Sequence, residues 1–433
     1  MNLQTAKRGK NAGMGDSIHA QPGHEPVRDI SRPVSAGEYL FAAIQGSAGV
    51  PGTAVELVTV LETSGVLPEA VWRDALDQVV VANPGIRLHM VGQRRQARWH
   101  SDSPPPLRMV RDCTWDGRTE AGADFIYATP LMLGAGPTCE LVVAEAPAPE
   151  RRCFVILRIL HAVTDGRGMS HLLEELFRAL RGEPLVGINT GASSLDLLRS
   201  MRNTATSPKL PQAAPLTAPV LPAGTRVLLR RITLQGPQPA ILARVAVAVA
   251  AYAHRHSRHA AVLAVPVDLR RHAPQLTSSL LYSGMLGIAL QRGDGVEAFT
   301  RKLRQLLDDK CDAVYKPAFE WLRRLPLPWV NYLFLRLPRQ LWPGRVFLTA
   351  LVSNIGRLDM SQWQCPGLQV ETVYSIPVIG VSSALPSIVL YGPHDRVEIS
   401  IGFPDSAGSS AALDDFTDFL RERLAADQQA PAA

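Results

Sequence analysis

The stretch RILHAVTDGRG, residues 158–168, places a histidine, an aspartate and two glycines at the end of an apolar run. His161 follows 154–160, which has the composition of a buried strand, and Asp165 and Gly166 come four and five residues later. The residues after Gly166 show helical spacing of apolar side chains. The pattern predicts a strand, a tight turn and a helix.

Neutral imidazole, with an ordinary pKa of about 6.5, suits proton transfer at His161. The alternative is a loop histidine beside an ordinary turn.

Two further landmarks follow this H-x-x-x-D-G motif. VPVDLRRH occupies 265–272, and ALVSNIGRLD occupies 350–359. In this order the three stretches resemble the acyltransferase superfamily of chloramphenicol acetyltransferase, the plant BAHD enzymes, alcohol acetyltransferases, mycobacterial polyketide-associated acyltransferases and nonribosomal peptide condensation domains. The resemblance covers about 35–425 and includes ALDQVVVANPGIRLHMV, which is similar to an early helix and strand of the family.

The resemblance implies an α/β fold of the two-layer α+β kind, with two chloramphenicol acetyltransferase-like lobes and a tunnel at their interface. It implies that His161 is the catalytic general base. Asp165 and Gly166 are then structural residues of the active site, and Asp165 pairs with an arginine, for which Arg270 is the candidate. A Ser-His-Asp type of arrangement, with Asp165 orienting the ring, is the less favoured alternative. Many relatives carry two adjacent histidines, whereas Leu160 precedes His161 here.

A base of this kind needs a partner group that stabilises the oxygen on which negative charge develops. Ser353 and Asn354 supply hydroxyl and amide donors, and Gly356 allows close approach of the backbone. These three residues form an S-N-x-G sequence, closer to the alcohol-acylating and mycobacterial relatives than to the D-F-G-W-G signature of the plant enzymes. We treat them as candidates for oxyanion or substrate binding. The alternative, a turn at a strand end, has equal weight.

Changes in composition divide the chain into four parts. We expect a disordered tail at 1–30, an N-terminal lobe with the motif at 31–182, a Pro-rich linker at 183–225 and a C-terminal lobe at 226–433. Strands and helices alternate in both lobes, which favours two α/β units.

Composition excludes several classes of protein. No apolar run is long enough to span a membrane and no secretory signal is evident, so we expect a cytoplasmic protein. Five cysteines without C-x-x-C spacing argue against disulfides and zinc knuckles. The net charge is +6, and 39 of the 45 basic residues are arginine, without any nucleic-acid-binding module. We expect no metal and no resident cofactor.

Three other signals have plainer explanations. DDKCD at 308–312 matches a magnesium-diphosphate pattern, but we assign it to a solvated helix face. The histidines of AHRHSRHA lack the spacing of a metal site. Residues 321–348, rich in Trp and Arg, form either an interfacial patch or lid for a lipid, or lobe-packing helices broken by prolines; we favour packing helices.

The function expected from these residues is transfer of an acyl group from a thioester to a hydroxyl. The donor is acyl-coenzyme A or a phosphopantetheinyl carrier protein, the acceptor a small-molecule or lipid alcohol, and the protein a monomer. Two alternatives stay open: a free-standing condensation enzyme that forms an amide, and a non-catalytic relative that binds a carrier protein or lipid.

Overall fold

The computed structural model describes residues 27–44, 55–134, 136–217, 227–315, 317–341, 345–377, 385–393, 395–405 and 408–429. In these ranges the strands are β1 (Ser31–Pro33), β2 (Glu56–Gly65), β3 (His89–Val91), β4 (Arg98–His100), β5 (Leu107–Val110), β6 (Cys139–Glu145), β7 (Arg152–Leu160), β8 (Val227–Gln235), β9 (Ala261–Asp268), β10 (Ser283–Leu290), β11 (Ala350–Arg357), β12 (Leu368–Ile376), β13 (Ser387–Gly392) and β14 (Arg396–Pro404). The α-helices are α1 (Ala36–Ile44), α2 (Glu69–Ala82), α3 (Gly166–Leu180), α4 (Ser194–Met201), α5 (Ile241–Ala253), α6 (Val296–Asp308), α7 (Leu327–Asn331), α8 (Leu337–Leu341) and α9 (Ser410–Gln429).

The strands form two large sheets and a small one. The first sheet has the order β12-β2-β7-β6-β5, the second β10-β9-β11-β13-β14-β8, and the small sheet β1-β4-β3. Most neighbours are antiparallel, but β5 with β6, β11 with β9 and β11 with β13 are parallel. The expected mixed α/β class with two sheet-based halves is therefore confirmed.

Strand β7 is buried on both faces, which explains why its sequence is apolar without alternation. One exception lies within it. Arg158 is fully buried and donates to Glu56 on β2 and to Glu140 on β6, so it ties three adjacent strands together. A buried guanidinium of this kind is tolerated only because both neighbouring carboxylates accept its hydrogen bonds.

Each large sheet packs its helices over a separate apolar core. In the first, α2 and α3 place Trp72, Leu76, Leu173 and Phe177 against the first sheet. In the second, α5 and α9 lie on the second sheet, with side chains that include Val249, Phe416 and Leu420. The spacing of apolar residues along these helices follows from the need to bury one face.

Two segments from the second half of the chain pack into the first half of the structure. Strand β12 pairs with β2 and so completes the first sheet. The connection between β9 and β10, residues 269–282, buries Leu269, Leu276, Leu280 and Tyr282 in the first core. These two segments join the halves through strand pairing and apolar contacts.

The structure describes only part of the predicted tail at 1–30 and of the predicted linker at 183–225. Residues 1–26 of the tail and 218–225 of the linker lie outside the described residues. Ile30 is buried, and its N–H bonds to the hydroxyl of Ser101. Residues 183–217 contain α4, and Ala213 forms bridges to both Ala260 and Val346.

The strand and the helix predicted on either side of the His161 turn are observed as β7 and α3. Among the described residues, no helix has the length and apolar character to cross a bilayer.

Candidate functional site

His161 lies directly after β7, at the end of a strand in the middle of the first sheet. Its N–H donates to the carbonyl of Val55, next to the start of β2, at 2.9 Å. The chain then turns through residues 162–165, which are buried, and enters α3 at Gly166. The strand, turn and helix predicted around this residue are present.

The imidazole ring is held from two sides. Its Nδ1 lies 2.9 Å from the carbonyl oxygen of Thr164, and its ring centroid is 4.4 Å from that of Phe41 on α1. A carbonyl oxygen only accepts hydrogen bonds, so Nδ1 carries the proton and Nε2 carries a lone pair in the neutral ring. The ring is partly exposed. His161 is thus arranged to accept a proton at Nε2.

Burial lowers the pKa of His161 below its ordinary value of 6.5, while the hydrogen bond to Thr164 and the charge of Asp165 act in the opposite direction. The lowered pKa favours the neutral imidazole, which is the form a general base requires.

Asp165 does not orient the imidazole. Its carboxylate caps α3 by accepting from the N–H of Gly168 at 2.8 Å, and it also accepts from the N–H of Tyr282 at 2.6 Å and from Nη1 of Arg270 at 3.0 Å. All of these bonds are buried or partly buried. They occupy the carboxylate in structure, so the ring is oriented by the Thr164 carbonyl rather than by an acidic side chain.

Arg270 belongs to the 269–282 connection and binds this connection to the turn at residues 162–165. Besides Asp165 it donates to Asp268 at 2.8 Å and to the carbonyls of Ser278 and Leu280, and it lies 5.1 Å from the ring centroid of Tyr282. Burial alone would lower its pKa, but the two carboxylates raise it above its ordinary value. The structure therefore brings Asp165 and Arg270 together across the two halves.

Gly166 stands where α3 approaches β11. A Cβ atom on Gly166 would lie 2.5 Å from Cδ1 of Ile355. Ile355 is the third residue of the Ser-Asn-Ile-Gly sequence. The start of α3 and that part of β11 are therefore in direct contact, although they are far apart along the chain.

Ser353 and Asn354 lie on opposite faces of β11. In register with β13, Ser353 pairs with Val389, which belongs to the first core, and Asn354 pairs with Leu390, which belongs to the second. Paired residues of neighbouring strands share a face. Of the two donors, only Ser353 therefore points towards the half that contains His161.

The side chain of Asn354 serves a β-bulge instead. Its Oδ1 accepts from the N–H of Gly356 at 3.1 Å, and Gly356 has a φ of +97°, which favours glycine. Both residues line a cavity of about 790 Å³ between β11, β13 and the start of α5. Asn354 and Gly356 therefore belong to the lining of this cavity.

The chain matches solved structures over most of its length. The starter condensation domain of rhizomide synthetase, in complex with C8-CoA and Leu-SNAC, has a TM-score of 0.65 at 15% identity, covering 91% of this chain and 94% of that one. The first condensation domain of the calcium-dependent antibiotic synthetase has a TM-score of 0.62 at 18% identity, with 93% and 98% covered. Polyketide synthase associated protein 5 from Mycobacterium tuberculosis has a TM-score of 0.61 at 17% identity, also with 93% and 98% covered.

This chain has the condensation-domain fold. The resemblance to condensation domains and chloramphenicol acetyltransferase that the sequence indicated is confirmed for the fold. No protein-family profile and no curated protein sequence matches the chain.

In this condensation-domain fold, several residues around His161 were not predicted as parts of the site. Phe41 contacts the ring, Thr164 orients it, and the hydroxyl of Thr164 donates to the carbonyl of Ser279 at 2.6 Å. Of these residues only Thr164 lies within the H-x-x-x-D-G motif, next to Asp165. Phe41 and Ser279 are distant in sequence and could not be inferred from spacing.

Gly168 provides a test of how tightly the turn is packed. A Cβ there would clash with Oγ1 of Thr164 and would lie 2.5 Å from the Ser279 carbonyl oxygen. We expect Gly168→Ala to lower the free energy of unfolding by about 1–3 kcal/mol, because the backbone of the 269–282 connection must move. Urea denaturation measures this. The matched control is Gly37→Ala in α1, where no atom lies within 4 Å of the new Cβ, and which should be neutral or slightly stabilising. Equal stabilities of the two variants would contradict the packing argument.

The structure also shows where the DDKCD sequence and the histidines of AHRHSRHA lie. Asp312 of DDKCD is buried and 2.9 Å from Nε2 of His272, whereas Asp308 and Asp309 are exposed. His254 is buried, and His256 and His259 are exposed. Within the described ranges, no cluster of three or more His, Cys, Asp or Glu is arranged to hold a metal ion.

Proposed function

We propose that this protein is an acyltransferase in which His161 is the general base. The observation that carries the proposal is the geometry of its ring. Nδ1 donates to the Thr164 carbonyl, Nε2 keeps its lone pair, and burial lowers the pKa. The fold supports the same reaction class, since one neighbour was solved in complex with C8-CoA. Acyl-coenzyme A or an acyl carrier protein would be the donor, with no resident cofactor.

The proposed reaction needs no covalent intermediate on the protein. Nε2 of His161 removes the proton of the acceptor hydroxyl as the oxygen attacks the thioester carbonyl. The resulting tetrahedral intermediate collapses, the carbon–sulfur bond breaks, and the thiolate takes the proton from the imidazolium. The products are an ester and a free thiol, and the base returns to its neutral form.

The oxyanion of that intermediate needs a hydrogen-bond donor. We infer that Ser353 is the better candidate of the predicted set, because it shares a face with Val389, a residue of the first core. Asn354 and Gly356 would act indirectly, through the bulge that sets the course of β11. Substrates would reach His161 through the predicted tunnel between the two halves.

Formation of an amide is the second candidate, since the solved structures with this fold include condensation domains. The chemistry at His161 would be the same with an amine acceptor, since a base at Nε2 serves either nucleophile.

The assay that tests the proposal combines acyl-coenzyme A and acyl-carrier thioesters of several chain lengths with hydroxyl and amine acceptors. Release of free thiol gives the rate, and the mass of the product distinguishes ester from amide. We expect thiol release that depends on both donor and acceptor. If no pair reacts faster than with heat-inactivated protein, the chain is a non-catalytic relative and the proposal is wrong.

The pKa of His161 predicts the acid limb of the pH profile. Neutral imidazole is the active form, and its pKa is lowered below 6.5 in the folded protein. We therefore expect kcat/KM to be constant near pH 7 and to fall as pH decreases through a midpoint below 6.5. An acid limb centred at pH 7 or higher would show that another group controls the rate. Unfolding followed by circular dichroism over the same pH range separates loss of activity from loss of structure.

A further inference from the structure

Residues 317–341, here called the Trp/Arg segment, expose apolar side chains that the proposed chemistry does not use. The segment comprises a 3₁₀ helix at Pro317–Arg324, then α7, a π-helical turn at Tyr332–Arg336, and α8. The expected short helices broken by prolines are present. They pack inward through Leu322 and Val330, which are buried.

The outward side of the segment is unusual for this protein. Trp321, Trp329, Phe334 and Leu341 are 45%, 61%, 39% and 57% exposed. Among the described residues, every exposed Phe and Trp lies between positions 319 and 347. Aromatic and aliphatic side chains gathered in this way mark a surface that contacts another molecule or a lipid.

In the described part of the segment, the exposed charged residues are arginines. Arg324 and Arg336 are exposed within the segment, and Arg94 and Arg95 are exposed beside it, where Arg323 donates to the carbonyl of Arg95. The acidic residue of the segment, Glu320, is paired with Arg199 at 2.8 Å. No Asp or Glu occurs from 321 to 347. The surface therefore complements an anionic partner.

We propose that the outward face of the Trp/Arg segment docks on the headgroup region of an anionic lipid bilayer. Trp and Phe flanked by Arg is the composition of segments that lie in the membrane interface, where the rings enter the acyl boundary and the guanidinium groups meet lipid phosphates. Basic residues near such a surface each strengthen binding severalfold, and the effect decreases with salt.

The same segment lies over the candidate site. Tyr39 of α1 donates to the carbonyl of Leu325 at 2.8 Å, and Asn331 donates to the carbonyl of Ala43, also on α1, at 2.7 Å. The other side of α1 brings Phe41 to the ring of His161. One helix thus separates the docking face from the base. If His161 is the base proposed above, docking would bring a membrane-borne acceptor or acyl chain next to it; the lipid binding itself does not depend on that function.

Vesicle sedimentation with the full chain tests the docking face. Phosphatidylcholine vesicles are compared with vesicles in which about one quarter of the lipid is phosphatidylglycerol, at roughly 0.1 M and 0.5 M salt. We expect binding to the anionic vesicles at least about tenfold stronger than to the zwitterionic ones, and weaker at the higher salt. Trp321→Ser with Trp329→Ser should weaken it about tenfold or more. Arg324→Glu with Arg336→Glu should abolish the anionic preference.

The control variants change exposed apolar side chains to Ser, or exposed arginines to Glu, elsewhere on the surface. Val81→Ser with Val186→Ser alters exposed apolar side chains outside the segment, and Arg118→Glu with Arg258→Glu alters exposed arginines. Both should bind like wild type, and all variants should keep the same unfolding midpoint.

The outcomes that would overturn the proposal are specific. One is the absence of sedimentation with anionic vesicles. A second is equal binding by the segment variants and their controls. A third is a dimer in gel filtration that dissociates on Trp329→Ser, which would show that a second copy covers the face. A fourth is binding of an acidic acyl carrier protein, lost in the same variants, without vesicle binding. No thioester is present, so a failure of acyl transfer leaves this test unaffected.

Discussion

Replacing His161 with Ala is expected to lower kcat/KM for acyl transfer by about 10²–10⁴-fold, the range that a well-placed general base contributes. That range corresponds to about 3–5.5 kcal/mol of transition-state stabilisation. The large effect follows from the ring's geometry. The Thr164 carbonyl fixes the proton on Nδ1, so Nε2 alone is left to receive the acceptor's proton. The other nearby ionisable side chain, Asp165, is occupied by Gly168, Tyr282 and Arg270.

Two variants separate loss of the base from loss of structure. His161→Ala removes the ring beside Phe41, whereas His161→Gln keeps much of the volume and can still donate to the Thr164 carbonyl. Both should have low rates, and neither should retain the acid limb of the pH profile. His259→Ala, an exposed histidine outside the site, is the matched control and should behave as wild type. If His161→Gln keeps the wild-type rate and profile, His161 is not the base.

The local part of this site could be predicted from the sequence. A strand that ends at His161, a turn closed by Asp165 and a helix that begins at Gly166 all depend on neighbouring residues, so spacing and composition were sufficient. The partnership of Asp165 with Arg270 came from the resemblance of 265–272 to a known family and from no local pattern. The contact is present in the structure.

The remaining features depend on contacts between distant segments. Phe41 reaches His161 because α1 packs under the Trp/Arg segment, and β12 joins the first sheet although it belongs to the second half of the chain. Ser353 and Asn354 face opposite sides because side chains alternate along a strand, and the register of β11 on β13 decides which of the two faces the first core. A one-residue change in register would exchange those faces, so composition alone could not assign them.

Removing Arg270 is expected to destabilise the protein by about 3–5 kcal/mol, because the charge of Asp165 would be buried without its partner. Removing the charge of Asp165 should cost less, because Arg270 keeps its bond to Asp268. The two losses are not equivalent. Asp165→Asn keeps an oxygen that can accept from Gly168, but it loses its charge against Arg270. Arg270→Ala leaves two carboxylates and the carbonyls of Ser278 and Leu280 without their donor. We therefore expect the arginine variant to be the less stable.

Urea denaturation of Asp165→Asn, Arg270→Ala and the double variant measures the coupling. The double variant should lose less than the sum of the single losses, by about 1–3 kcal/mol, because each single change already removes the shared bond. Arg73→Ala, which breaks the exposed pair with Glu69, is the control and should cost less than about 1 kcal/mol. Additive losses at Asp165 and Arg270 would mean that the two residues stabilise the turn independently. The 269–282 connection would then be held against the turn after His161 by its apolar side chains, and the ion pair would not be what joins the two halves there.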